Sequence, residues 1–115
     1  MYLDDIRDFC LGLGEVNEGF PFDKRTLVFK NPGGMFCLLD IEWEEKTLNL
    51  KCDPNRAVAL REEWPDQIRP GWHMNKVHWN TIDADGLPDQ LIREMIQHSY
   101  DLVVKKALNK RGKNK

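Results

Sequence analysis

Hydrophobic positions recur along this chain with two different periods, and the switches between them outline its elements. In residues 2–13, Leu3, Ile6, Cys10 and Leu13 stand three or four apart, with Phe9 beside them and Asp4, Asp5 and Asp8 elsewhere. That is the stripe of an amphipathic helix, stopped by Gly12 and Gly14. From Glu15 to Cys52 the character changes to the runs TLVFKN, GMFCLLDIEW and TLNLKC. In the last of these Leu48, Leu50 and Cys52 alternate with Thr47, Asn49 and Lys51, the two-residue period of a half-buried strand. Asn31-Pro32-Gly33-Gly34 and Glu44-Glu45-Lys46 are turn sequences between such strands. Connections this short predict antiparallel neighbours in a meander.

Asp53-Pro54 starts a second helix, because an aspartate accepts from free backbone N–H groups and a proline is preset for the first helical position. It should end before Pro65. Residues 65–76 lack a period and contain two prolines and a glycine, which predicts a loop. VHWNTID then alternates again, with Val77, Trp79 and Thr81 on one face and His78, Asn80 and Ile82 on the other. From Pro88 the spacing of Leu91, Ile92, Met95, Ile96, Leu102 and Val103 predicts a long amphipathic helix that runs into a basic tail. This order of elements predicts an α+β two-layer sandwich, an antiparallel sheet with helices on one face. The 115 residues suffice for one domain, taken as 1–108, followed by a tail at 109–115.

Composition narrows the function classes. Hydrophobic residues at 41% and charged residues at 31% are the balance of a soluble globular protein, and no apolar run reaches the roughly 20 residues of a membrane helix. The acidic opening MYLDDIRDF lacks the pattern of a secretory signal, so a cytoplasmic location and no membrane partner are expected. Cys10, Cys37 and Cys52 are odd in number and widely spaced, which predicts buried structural thiols.

The net charge of −2 averages two unlike parts. Lys105, Lys106, Lys110, Arg111, Lys113 and Lys115 are six of the 17 basic residues, and no acid follows Asp101. Without them positions 1–104 carry 11 basic and 19 acidic residues, a net of −8. An acidic body binds polyanions poorly, since affinity for nucleic acid comes mainly from neutralising phosphates. Any nucleic-acid role must therefore be local.

Few motifs support catalysis. Ser99, the only serine, falls within the apolar stripe of the last helix, and the cysteines lie on apolar faces where a thiol is less reactive. No nucleotide-binding glycine loop, nucleophile elbow or zinc-protease motif occurs, so no enzyme and no cofactor are expected. His73 and His78 do not converge by spacing on a metal, and Asp4 and Asp8, one helical turn apart, suit the start of a helix as well as a cation.

The densest chemistry is RPGWHMNKVHWNT, residues 69–81, with two Trp, two His, two Asn, one Lys and one Arg in 13 positions. Two readings stand side by side. In one, Trp72 and Trp79 seal the core edge while the His and Asn side chains satisfy loop backbone groups. In the other, Trp72 stacks on a base, Lys76 meets phosphate, and His73, Asn75, His78 and Asn80 supply hydrogen bonds. Lys30 and the Lys24-Arg25 pair extend this to a positive strip if the turns lie on one side.

PGWHMNKVHWNT closely resembles the P-G-[YW]-H-M-N-K-x-H-W-N-T signature of the MmcQ/YjbR family of small bacterial proteins. CLGLGEVNEGFPF is similar to the family's opening helix-to-strand segment, and LVFKNPGGMFCLL to its K-x-x-G-K-M-F-A hairpin. The resemblance implies a CyaY-like fold related in architecture to frataxin, and DNA binding through a double-wing arrangement. It carries over to Pro70, Gly71, Trp72, His73, Met74, Asn75, Lys76, His78, Trp79, Asn80 and Thr81, with Pro21, Phe22 and Lys30 from the earlier motifs. Gly34 stands where the family often has lysine, which removes one phosphate-binding group. The expectation is a non-enzymatic DNA-binding protein using Lys24, Arg25, Lys30, the signature and the basic tail. The alternatives are a protein-interaction or small anionic ligand module and, third, frataxin-like metal binding through Asp4, Asp5 and Asp8.

Overall fold

A computed structural model describes the backbone of residues 1–113 and the side chains of residues 1–110. Three helices, α1 (Leu3–Leu11), α2 (Pro54–Glu63) and α3 (Asp89–Lys113), accompany six strands. These are β1 (Asn17–Gly19), β2 (Thr26–Asn31), β3 (Gly34–Asp40), β4 (Thr47–Lys51), β5 (Ile68–Pro70) and β6 (Trp79–Asp83). They form one antiparallel sheet in the order β1-β2-β3-β4-β6-β5, the α+β architecture expected of the sequence. β2, β3 and β4 are the expected meander, and β1 adds an edge strand in front of it. Chain order then breaks, because α2 carries the chain past the place β6 will take and β5 becomes the far edge.

Local chemistry sets the element ends. Asp53 Oδ2 accepts from the N–H groups of Asn55 and Arg56, Pro54 occupies the first turn, and α2 closes before Pro65. Two departures from the sequence reading concern short strands. Residues 68–70, expected as loop, pair with β6, Arg69 standing opposite Thr81; a three-residue strand shows no period, and its place at the sheet edge tolerates Pro70, which has no N–H to donate. β1 is likewise too short to read and forms because Asn17 finds Lys30 in register.

The helices cover one face. Ile6 and Cys10 of α1, Ala57 and Leu60 of α2, and Ile92, Met95, Ile96 and Val103 of α3 bury against Leu27, Phe29, Cys37, Leu39, Leu48, Leu50 and Ile82. The three cysteines are free and buried, as expected. Cys37, hydrogen-bonded with Cys10 and stripped of water, has its thiol held well above the ordinary range, and burial pushes Cys52 up to about 11. Both are therefore poor nucleophiles.

Ser99 is the joint between layers. A bulge between Phe29 and Lys30 leaves Phe36 without a partner on β2, and the β3–β4 ladder stops at Cys37↔Leu50. The fully buried Ser99 hydroxyl enters the gap, accepting from Lys51 N–H at 2.9 Å and donating to the Phe36 carbonyl at 2.5 Å. One side chain from α3 thus replaces a missing rung.

Candidate functional site

Strand direction divides the connections between two ends of the sheet. β2 finishes, β3 starts, β4 finishes and β6 starts at one end, which also holds the loop 71–78. The other end gathers the β1–β2, β3–β4 and β6–α3 connections.

Loop 71–78 is a fixed structure. Gly71 N–H donates to Trp79 O at 2.9 Å, Trp72 N–H to Thr81 Oγ1 at 2.9 Å, and Thr81 Oγ1 to Asn49 Oδ1 at 2.5 Å. A Cβ on Gly71 would lie 2.7 Å from that of Trp79, so only glycine permits this approach. Lys76 Nζ donates to Gly71 O at 3.2 Å, Asn75 Oδ1 accepts from Val77 N–H at 2.9 Å, and His78 O accepts from Cys52 N–H at 2.8 Å. Met74 and Met35 pack on a second apolar cluster, Val28, Leu38 and Trp79, on the helix-free face.

Arg61 of α2, which the sequence reading passed over, holds the loop from the other side. Its Nε donates to Asn80 Oδ1 at 2.7 Å and its Nη2 to Lys76 O at 2.5 Å, while Asn80 Nδ2 reaches Ala57 O at 3.4 Å. Arg61 stands four residues after Ala57 and next to Leu60, a spacing that places it beside the buried stripe of α2, but nothing in the sequence says that β6 lies beneath it.

The signature therefore divides between the two roles it was given. Asn75, Asn80, Thr81 and Trp79 serve the fold, Asn80 and Trp79 being buried. Trp72 does not seal the core: it is 65% exposed, and Val77 beside it is 58% exposed. His73 takes a left-handed conformation with φ 59°, and its ring meets that of Trp72 edge-on, centroids 4.5 Å apart. His78 is exposed.

Basic side chains lie along the same end of the sheet as this loop. Lys30 is exposed opposite Met35, and Lys51 stands opposite Trp79, so both lie on the helix-free face at the signature end. On the other layer, Val103 and Ala107 of α3 pack against the β2–β3 turn, where a Cβ on Gly33 would fall 1.8 Å from Val103 O. Beyond that point α3 presents Lys105, Lys106 and Lys110, all exposed. Burial first, and then the positive charge of Lys106, lower the Lys51 pKa, so these two lysines feel one another across the end of the sheet. Acids are also present at this end: Asp53 caps α2, Asp101 stands one helical turn before Lys105 and acts with Asp53 on His98, and Glu15 precedes β1. The expected tail at 109–115 continues α3 as far as Lys113 in backbone; the side chains of Arg111 and Lys113, and all of Lys115, lie outside the described residues.

Lys24 and Arg25 do not join this strip. They precede β2 at the opposite end, where Arg25 pairs with Asp40 at 2.5 Å and Glu42 at 3.1 Å, and Lys46 pairs with Asp85 at 3.2 Å. Asp23, Glu44 and Glu45 belong to the same connections. The condition attached to the positive strip, that the turns share a side, is met by Lys30 alone. Charge is segregated along the strands, basic at the signature end and acidic at the other.

Among the described residues no three His, Cys, Asp or Glu side chains are placed to share a metal ion. Asp5 Oδ2 accepts from Tyr2 N–H at 3.3 Å at the start of α1. No described helix is long and apolar enough to cross a membrane.

The YjbR family model matches residues 11–102. Protein YbdF of Escherichia coli O157:H7 is 34% identical over 102 residues, covering 88% of this chain and 83% of its own. Protein YjbR of Escherichia coli K12 is 28% identical over 105 residues, covering 90% and 88%. The crystal structure of Deinococcus radiodurans protein DR2400, a DUF419 domain, superposes with a TM-score of 0.84 at 44% identity, covering 91% of this chain and 80% of that one. A protein from Pseudomonas syringae shares the fold with a TM-score of 0.72 at 23% identity, covering 90% and 99%. With its signature, its helix-backed antiparallel sheet and these matches in agreement, the chain belongs to the YjbR family.

Proposed function

We propose that this protein binds nucleic acid at the signature end of its sheet, without catalysing a reaction. The observation that carries the reading is the segregation of charge: Lys30, Lys51, Lys76, Lys105, Lys106 and Lys110 share one end, while Arg25 and Lys46 are neutralised at the other. A net charge of −2 then ceases to be an obstacle, because phosphates meet a local field and not the average. A binding role also suits Ser99, whose hydroxyl is fully used between two backbone groups, and the inert thiols. A cytoplasmic setting fits cysteines that remain free.

The test is titration of labelled duplex DNA, single-stranded DNA and RNA at two salt concentrations. Lys30→Gln and Lys106→Gln should each weaken binding and lower the slope of log affinity against log salt by about 0.7 to 0.9 for each phosphate no longer neutralised. No binding at low salt, or affinity unchanged in the double variant, defeats the reading.

A second reading, binding of a small anion, draws support from a different place. The space under the signature is filled by Met74 and Trp79, but a hollow of about 520 Å³ lies between the helices, lined by Arg56, Arg93 and His98 together with the carboxylates Glu94 and Asp101, so that an anion would have to meet the two arginines on the side away from those acids. Arg56 and Arg93 form no ion pair among the described residues. Citrate that raises the melting temperature of the protein, but not of Arg56→Gln/Arg93→Gln, would favour it over the first.

A further inference from the structure

The strandedness of the ligand can be read from the loop itself. Resting on the nucleic-acid reading above, we infer that the surface around Trp72 takes unpaired bases, so that the preferred ligand is single-stranded nucleic acid rather than a duplex.

An indole that is 65% exposed would ordinarily be expected on a mobile loop or folded back against the surface. Here neither holds. The Trp72 backbone N–H is tied to Thr81 Oγ1, which is itself tied to Asn49; Gly71 is locked to Trp79; and the Lys76 carbonyl is clamped by Arg61. The ring is therefore presented from a fixed base. His73 supports it edge-on at 4.5 Å, in a left-handed backbone conformation that a non-glycine residue adopts at a cost. The hydrogen-bond frame of the loop holds that conformation in place. Because the His73 ring meets Trp72 at an interplanar angle of 65°, it does not cover the indole as a parallel stack would.

A flat aromatic face is recognised by another flat face. In a duplex each base is already stacked on its neighbours above and below, so the indole could reach one only by unstacking a step, which costs several kcal/mol per step on the general scale. In a single strand the bases can turn out and stack at little cost, with any base accepted because every base has a π-face. The flanking cations suit the same geometry. Strand order places Lys30 on β2, Met35 on β3, Lys51 on β4, and Trp79 with Met74 on β6 and its loop, so a chain laid across the strands would meet ammonium groups alternating with apolar side chains. Lysines are point charges that follow a flexible backbone without demanding a fixed fork geometry.

The experiment compares oligomers of thymidylate, of uridylate, an abasic oligomer of equal length, and a duplex of the same number of phosphates, by fluorescence anisotropy with the full chain. The expected result is at least tenfold tighter binding of the base-bearing single strands than of the duplex. Removal of the bases should weaken binding about 5- to 150-fold, the range of one base–aromatic stack. Trp72→Ala should reproduce that weakening with the salt slope unchanged, and Trp72→Phe should recover most of it; the exposed position keeps the fold intact, which an unaltered melting temperature checks. Tight binding by either thymidylate or uridylate supports the inference and shows which sugar is taken. Duplex binding equal to or tighter than single-strand binding overturns it while leaving nucleic-acid binding standing, as does an abasic oligomer bound as well as the others. Failure of every oligomer and the duplex to bind overturns the underlying reading with it.

Discussion

Arg61→Met removes a guanidinium that ties α2 to the signature loop while keeping most of the side chain's apolar stem. Three hydrogen bonds go with it, and they do not weigh equally. The Lys76 carbonyl is on an exposed residue, so water can replace the donor there at little net cost. The bond to Trp79 O is long at 3.5 Å, and that carbonyl also accepts from Gly71 N–H. What remains is Asn80 Oδ1, on a side chain only 2% exposed, which gives up a charge-assisted bond of 2.7 Å and receives no water in exchange. Hydrogen bonds to charged groups contribute about 1.5–3 kcal/mol, so a destabilisation of about 2 kcal/mol is expected, or roughly 8 °C in melting temperature for a chain of this size. Urea denaturation of Arg61→Met, Asn80→Ala and the double variant would give the coupling directly. Arg61→Lys, which keeps the charge but not the fork, should recover little of it. A destabilisation below about 0.5 kcal/mol, or additive single variants, would refute the claim that this pair holds the loop.

Ser99→Ala should cost about 2–5 kcal/mol by chemical denaturation, because the Lys51 N–H and the Phe36 carbonyl are both left without their partner inside the protein; a near-neutral result would mean that β3 and β4 can close their own ladder there. Gly33→Ala forces apart the β2–β3 turn and α3, where the new methyl would overlap the Val103 carbonyl, and should destabilise by at least about 1–3 kcal/mol by the same assay. Gly34→Lys restores a lysine where the space around the Cβ is open, so nucleic-acid affinity should rise while its φ of 138° lowers the melting temperature. His98 has its pKa lowered, by burial first and then by Arg56, against the opposing pull of Asp53 and Asp101, and its Nε2 accepts from Asp53 N–H. The unfolded chain then takes up the proton first, so this contribution is complete above the ordinary histidine value of about 6.5 and is lost as pH falls below it. A plot of unfolding free energy against pH should flatten in that window in His98→Gln.

Much of the fold was legible along the chain. A 3.6-residue period located α1 and α3, alternation located β4 and β6, and apolar runs between turns located β2 and β3, while the Asp53-Pro54 start of α2 needed no tertiary knowledge because a cap is made by residues two and three positions away. β1 and β5 escaped for the converse reason: at three residues each they are strands only because Lys30 and Thr81 lie opposite. The short connections of the meander implied its neighbours, whereas the insertion of β6 between β4 and β5 depended on where α2 packs.

The candidate site divides in the same way. Sequence by itself determined which residue types were concentrated at 69–81, that the last 11 residues carry six positive charges, and that the body is acidic. It could not assign roles within the signature, because Trp72 and Trp79 are alike as letters and differ only in what covers them. Nor could it say that Lys24 and Arg25 would fall at the far end beside Asp40 and Glu42 while Lys30, six residues on from Lys24, would reach the signature end. A strand rises about 3.3 Å per residue, so β2 alone carries Lys30 across the length of the sheet. The sign of a charge is a property of the residue, but the field it joins is made by strands, and strand pairing is decided only when the chain folds.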